Sequence, residues 1–351
     1  MKKILFYNSN QAWGGGEKWH FNMAMHLKEK GYATTIACFP AGLLEQKSKK
    51  NQQDYFSFKS SNLSFSNPFT LFSFYKKLKS YSPDVIFLNL PRDVKVCAIL
   101  KFFFPKVKLI YRRGMPHPIK NNWLNRFSMA KLDIIIANSL EIKRSVIKHI
   151  PQLEDKIKIV YNGVSPIVNE CLPHQKIVRL GNLGRLVEQK GQKHLIELAL
   201  KLKHKKIPFN LKIAGTGPLQ QELESLILKN NLANEVSLVG FKNAEDFFPS
   251  IDVFIFTSYF EGSANAIIES FQYAKPVIAF NLSSNPEVVE DNVNGFLIKP
   301  FDIDTMVLKI EKLISSDSLY HDFQLNCQKT ILKKFRYADK VSQVENIINE
   351  L

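Results

Sequence analysis

Short apolar runs return along the whole of this chain, separated by segments of helical character. In the first half they are KILFYN (3–8), TTIACF (34–39), DVIFLN (84–89), KLIYR (108–112) and DIIIAN (133–138). In the second they are IVRLGNL (177–183), NLKIAG (210–215), VSLVG (236–240), VFIFTS (253–258), PVIAF (276–280) and GFLIK (295–299). Between the first two, residues 17–31 carry apolar side chains at helical spacing and stop at Gly31. Continuous apolar strands alternating with helices predict an α/β fold with parallel sheets covered on both faces.

The run KIKIVYNGVSP (156–166) closes the first series, and the polar stretch VNECLPHQK (168–176) follows. With 351 residues the chain is long for one core. The spacing predicts a first Rossmann-like domain over 1–166, a linker over 167–175, a second such domain over 176–317, and a helical tail over 318–351. The tail is expected to pack back toward the first domain. Two doubly wound domains facing each other would leave a cleft lined by the carboxyl ends of both sheets.

Charge is unevenly placed. Residues 1–165 hold 27 Lys/Arg against 10 Asp/Glu, and residues 166–351 hold 21 against 22, so the first half carries +17 and the second −1 of the net charge of +16. Either this is a general solubility bias or the first half faces an anionic partner. Basic and apolar residues interleave at 69–82 and 94–111, which suits a membrane surface better than nucleic acid, for which no zinc-finger or aromatic RNA-binding pattern appears. No stretch has the roughly 18 uninterrupted apolar residues of a spanning helix. The start, MKKILFYN, reads as a first strand rather than a signal peptide. Cys38, Cys97, Cys171 and Cys327 form no CxxC pair, so neither a disulfide framework nor a zinc site is expected, and a reducing cytoplasm fits.

Three motifs carry chemistry. NSNQAWGGGEKW (8–19) places Gly14, Gly15 and Gly16 between a strand and a helix, where backbone can approach an anion. It lacks the dinucleotide fingerprint, and alone it fits a tight turn as well as a ligand loop. GRLVEQKGQKH (184–194) places Arg185 and Lys190 at another strand–helix junction. A guanidinium and an ammonium there would hold a diphosphate, or be two solvated cations. In YFEGSANAIIES (259–270) Glu261 follows a strand, and Gly262, Ser263, Ala264 and Asn265 open a helix holding Glu269. With helix from Gly262, Glu269 would lie about 10 Å further along. The two carboxylates would then bracket an extended polyhydroxyl ligand, since a carboxylate accepts from vicinal hydroxyls. Taken alone, Glu261 is a cap and Glu269 a solvated acid.

Together, GGGEKW, GRLVEQKG and EGSANAIIES, with YNGVS (161–165), AGTGPL (214–219) and the 285–300 segment, resemble the retaining glycosyltransferases of family 4, which have the GT-B fold. The resemblance covers nearly the whole chain and is strongest over 160–300. It implies that Arg185 and Lys190 bind the donor diphosphate, that Glu261 contacts the sugar, and that Glu269 holds the ribose. Backbone N–H groups from Gly262 to Asn265 would assist, and Gly14 to Gly16 would close over the phosphates. It implies no metal and no cofactor beyond the nucleotide-sugar donor, with charge on the leaving diphosphate met by Arg185, Lys190 and helix termini. The single DxD match, Asp302-Ile303-Asp304, is expected to cap a helix. One departure concerns the acceptor side. Where the family often has His-Gly, this chain has YRRGMPHP (111–118), leaving Arg113 or His117 as the candidate.

The resemblance implies a cytoplasmic enzyme on the inner face of the plasma membrane that moves a hexose-type sugar to a glycan or lipid-linked acceptor in lipopolysaccharide or surface-polysaccharide synthesis. The alternatives are a nucleotide-sugar epimerase or phosphorylase of the same architecture, or a non-catalytic nucleotide-binding relative.

Overall fold

The computed structural model describes residues 1–115, 119–167, 170–171 and 173–351. The chain divides into two compact units, Met1–Tyr161 with Lys340–Leu351, and Asn162–Asp339. The expected tail is thus divided: 318–339 belongs to the second unit and 340–351 to the first. In the first unit Lys30 pairs with Glu345, and the Lys2 ammonium donates to the Ile348 carbonyl at 2.7 Å. The stretch expected as a linker, 167–175, falls within the second unit's range.

The first unit is built on β1 (Lys3–Asn8), β2 (Ala33–Cys38), β3 (Tyr55–Ser57), β4 (Val85–Leu88), β5 (Lys108–Arg113), β6 (Ile134–Ala137) and β7 (Ile157–Ile159). These make one parallel sheet in the order β3-β2-β1-β4-β5-β6-β7. β1 pairs Ile4 with Thr34 on one side and with Val85 on the other. The strand order reverses between β1 and β4, so their carboxyl ends diverge into a crevice. β3 lies in 41–61, a stretch that gave no sequence reading. It has three half-buried residues at the sheet edge and no alternation to reveal it.

The second unit holds β8 (Val178–Leu183), β9 (Phe209–Ala214), β10 (Val236–Leu238), β11 (Val253–Phe256), β12 (Val277–Phe280) and β13 (Gly295–Ile298). Their order is β10-β9-β8-β11-β12-β13, also parallel, with the reversal between β8 and β11. β11 and β12 are buried at every residue. That fits strands covered on both faces, and each buried Phe or Ile contributes roughly 1.5–3 kcal/mol. The Lys193–His204 helix buries Leu195, Ile196, Leu198, Ala199 and Leu202 on the sheet-facing stripe. It ends on Lys201, Lys203 and His204, which complement the helix dipole.

Candidate functional site

The second unit's site grows from its strand reversal. The loop after β8 is pressed onto neighbouring backbone at three glycines. A Cβ on Gly215 would lie 1.9 Å from the Gly184 carbonyl oxygen, one on Gly217 would lie 2.3 Å from that of Leu186, and one on Gly191 would lie 2.3 Å from that of Thr257. Gly191 also has φ +65°, in the left-handed region. Hydrogen bonds then fasten this loop to the one after β11. Tyr259 N donates to the Gln189 carbonyl at 2.8 Å, Gln189 Nε2 to the Phe260 carbonyl at 2.7 Å, and Thr257 Oγ1 to the Lys190 carbonyl at 3.1 Å.

This clasp brings together two of the residues singled out from sequence. Lys190 Nζ lies 2.6 Å from Glu261 Oε1, with the side chains 17% and 13% exposed. The lysine stem crosses Gly184, and its ammonium stands 5.6 Å from the Phe256 ring centroid. Ser283 Oγ accepts from Glu261 N at 3.1 Å and donates to the Glu261 carbonyl at 2.8 Å, and Ser284 Oγ donates to the same carbonyl at 3.2 Å. Arg185, on the same loop as Lys190, is exposed and has no ion-pair partner among the described residues.

The helix after Glu261 starts later than expected. It spans Asn265–Gln272 with Ala264 at its N-cap and no side-chain cap. Gly262 and Ser263 lie in the preceding loop, and Asn265 N donates to the Ser263 carbonyl at 2.8 Å. Its side-chain oxygen accepts from Ser263 Oγ at 3.1 Å and from Asn162 Nδ2 at 2.7 Å. Glu269 is therefore one turn into the helix, about 6 Å along the axis from Asn265, and half-buried. Asp302 caps the Ile303–Ile314 helix, accepting from Thr305 N at 3.0 Å and Thr305 Oγ1 at 2.8 Å. Those bonds hold its carboxyl below the usual range, and Asp304 pairs with Lys201 at 2.7 Å.

In the first unit, Gly14 is the N-cap of the Gly15–Glu29 helix. The reason for glycine at 16 is a neighbour: a Cβ there would lie 2.6 Å from the Asn89 amide nitrogen. Glu17, buried just behind, accepts from the side-chain amides of Asn8, Asn10 and Asn89 at 3.2, 3.1 and 3.1 Å. Arg113 ends β5, is buried, and donates to Tyr111 Oη at 3.3 Å. His117 lies outside the described residues. Arg112 packs over Trp19 at 5.3 Å, and burial pushes its guanidinium down to about 10 against the pull of Glu17. Burial, and then Arg112, push the neighbouring His20 well down.

Sequence reasoning missed a polar cluster between β1 and β4. Asp93 is fully buried, accepting from Ser9 Oγ at 2.5 Å, and Arg92 donates to Ser9 Oγ at 2.7 Å and to its carbonyl at 2.8 Å. Burial raises the Asp93 carboxyl to about 7. Ser9 and Arg92, but not Asp93, border a cavity of about 330 Å³ that is also lined by Asn10, Gln11, Phe39, Ser60, Ser61 and Asn62. An acid two residues beyond a proline at a strand end is an ordinary helix-start pattern, so nothing in the sequence marks it.

Two parallel doubly wound sheets, the second with cationic loops at its reversal, define the GT-B class. A solved Anabaena structure, HepE in complex with UDP, superposes with a TM-score of 0.86 at 21% identity, over 100% of both chains. Residues 13–167 match the Glycosyltransferase Family 4 model and residues 174–330 match Glycosyl transferases group 1, and the chain belongs to the glycosyltransferase family these describe. Two uncharacterised glycosyltransferases of Methanocaldococcus jannaschii are 31% and 29% identical over 62% and 68% of this chain, which spans 62% and 65% of their lengths. A Campylobacter jejuni N-acetylgalactosamine-N,N'-diacetylbacillosaminyl-diphospho-undecaprenol 4-alpha-N-acetylgalactosaminyltransferase is 26% identical over 81% of this chain and 80% of its own length.

Proposed function

We propose that this protein is a retaining glycosyltransferase that moves a hexose-type sugar from a nucleoside-diphosphate sugar to a glycan or lipid-linked acceptor. The observation that carries the reading is the Lys190–Glu261 pair at the strand reversal of the second unit, with Arg185 on the same loop. Cation and carboxylate together suit a ligand that is anionic at one end and rich in hydroxyls at the other.

Arg185 and Lys190 bind the donor diphosphate. An ammonium has three donors, so Lys190 can hold Glu261 and a phosphate oxygen together. Glu261 accepts from sugar hydroxyls near the reacting carbon, Glu269 from the ribose hydroxyls, and the 262–265 backbone supplies N–H groups. In the reaction the bond between the anomeric carbon and the diphosphate oxygen breaks, and its electron pair leaves with the nucleoside diphosphate. The acceptor oxygen bonds to that carbon on the same face, and its proton passes to a leaving phosphate oxygen. Arg185 and Lys190 meet the growing negative charge, the task a metal performs elsewhere. For the first unit, the proposed roles are donor-phosphate contact by the Gly14 to Gly16 backbone and acceptor contact by Arg113 or His117.

The setting we propose is lipopolysaccharide or surface-polysaccharide synthesis on the inner face of the plasma membrane. The charge of the first half supports it, as does the diphospho-undecaprenol in the name of the Campylobacter relative. No helix among the described residues is long and apolar enough to cross a membrane. The test is a thermal-shift screen over nucleoside diphosphates and their sugars, followed by product analysis of the anomeric configuration with and without chelator. One nucleotide series should stabilise the protein and yield a product of unchanged configuration. Inversion, a chelator-sensitive rate, or sugar isomerisation without acceptor would overturn the reading.

A further inference from the structure

The first unit exposes aromatic rings in a connected row. Phe69, Phe72, Phe102 and Phe103 are 83%, 58%, 63% and 64% exposed. Phe69 and Phe72 project from the Pro68–Tyr81 helix three residues apart, and Phe72 stacks on Tyr75 at 6.4 Å. Tyr75 meets Phe103 edge-on at 5.6 Å, and Phe102, its chain neighbour, stacks on Phe127 at 6.0 Å. Phe127 belongs to the Trp123–Ala130 helix, where Trp123, one turn earlier, is 78% exposed. Scattered exposed apolar residues are normal on a protein surface, but ring contacts that link two helices through the turn at 101–103 are not.

Cations border this row, and the one acid paired beside it, Asp133, is held by Lys101 and Lys108. Lys76 lies 4.7 Å over the Phe72 ring, and Lys131 lies 4.5 Å over Phe102 and 5.7 Å over Phe127. Residues 55–83 contain four Lys/Arg and 94–132 contain nine, of which Arg112 and Arg113 are buried, with no Asp or Glu in either stretch. Rings level with lysines whose stems reach past them match the headgroup region of an anionic bilayer, where the ring enters the acyl boundary and the ammonium meets phosphate. A nucleic-acid duplex would use the charge and leave the exposed phenylalanines without a partner. Resting on the proposed setting, we propose that Phe69, Phe72, Phe102, Phe103 and Trp123, with Lys76 and Lys131, form the face that docks this protein onto an anionic lipid surface.

The test is co-sedimentation of the full chain with phosphatidylcholine vesicles with and without phosphatidylglycerol, across a salt series. The wild type should bind only the anionic vesicles and release at high salt. Phe72→Ser with Phe103→Ser should lower partitioning at least ten-fold, and Lys76→Glu with Lys131→Glu at least five-fold per charge. In a Trp13→Phe background, which leaves the buried Trp19 and the exposed Trp123, the Trp123 component of the emission should shift to the blue on vesicles and be quenched by brominated lipid. Phe72, Lys76 and Phe103 are exposed and Lys131 is half-buried, and nucleotide-induced thermal shifts should match wild type, which separates this proposal from the donor-site reading. Undiminished vesicle binding by the double serine variant, or Trp123 emission unmoved on vesicles, would overturn it. So would a wild-type dimer that the serine variant dissolves, which would make the face a contact between copies.

Discussion

Replacing Lys190 by methionine separates the two partners this ammonium is proposed to serve. Two unit charges about 3 Å apart attract by roughly 5–6 kcal/mol at an effective dielectric near 20, before desolvation is counted. Breaking a buried pair costs about 3–5 kcal/mol, and an exposed pair under about 1. With Lys190 17% and Glu261 13% exposed, the pair falls between these limits. We expect about 2 kcal/mol of lost stability, seen as a melting point lower by about 5 °C for a unit of this size.

The ligand arm is larger. A charge-assisted bond to phosphate contributes about 1.5–3 kcal/mol, so the Kd for the stabilising nucleoside diphosphate should rise about 10- to 150-fold by calorimetry. Glu261→Gln is the informative partner. It keeps the shape at 261, removes the competing charge, and leaves Lys190 for the diphosphate. It should bind nucleoside diphosphate as well as wild type or better, while kcat/KM for transfer falls about 100-fold or more. The double variant should show coupling in stability well above 0.5 kcal/mol, as contacting partners do. If Lys190→Met melts lower yet binds nucleoside diphosphate like wild type, Lys190 is a counter-ion to Glu261 and the donor-site assignment fails.

Other consequences follow from the same geometry. Gly191→Ala places a methyl 2.3 Å from the Thr257 carbonyl at φ +65°, so denaturant titration should show a loss of about 2 kcal/mol or more. Arg185→Ala removes an exposed cation; it should leave the melting point within about 1 °C and weaken nucleoside diphosphate binding about ten-fold. Asp302→Ala removes a helix cap and should lower the melting point in a thermal scan, with no change in the response of transfer to chelator. Asp93, raised from 3.8 to about 7 by burial, holds its proton more tightly folded than unfolded. Its contribution to stability is complete below pH 4 and is lost as pH rises toward 7. Asp93→Asn should remove that part of the pH dependence, measured as the difference between the two unfolding profiles.

The sheets were legible because buried parallel strands leave short apolar runs bounded by polar or turn residues. Twelve of the thirteen strands among the described residues lie on such runs; β3, short and at an edge, left none. The helix start at Asn265 was misplaced because Gly262 and Ser263 look like a helix mouth, whereas the Ser263 carbonyl already receives Asn265 N in a turn. The Lys190–Glu261 contact spans 71 residues, so no local pattern carries it. Both residues could be chosen from their motifs, but their meeting depends on how two loops dock. The Asn8, Asn10 and Asn89 amides on Glu17 were invisible for the same reason.

The glycines explain why the motifs surrounding the site are more legible than the site itself. A glycine that admits a carbonyl at 2 Å tolerates no substitute, whatever ligand the loop holds. Gly191, Gly215 and Gly217 serve that purpose, and Gly16 does the same for the Asn89 side chain. The glycine-bearing motifs therefore encode loop-to-loop docking first and ligand contact second. This changes the meaning of the GGG run: at position 16 the missing side chain is already replaced by an amide of the protein's own, whose partner is Glu17. Gly16→Ala should therefore act by displacing Asn89 and unseating Glu17, lowering stability even without nucleotide. A variant that melts like wild type and fails only in nucleotide binding would restore the simpler view of that loop as an open phosphate cradle.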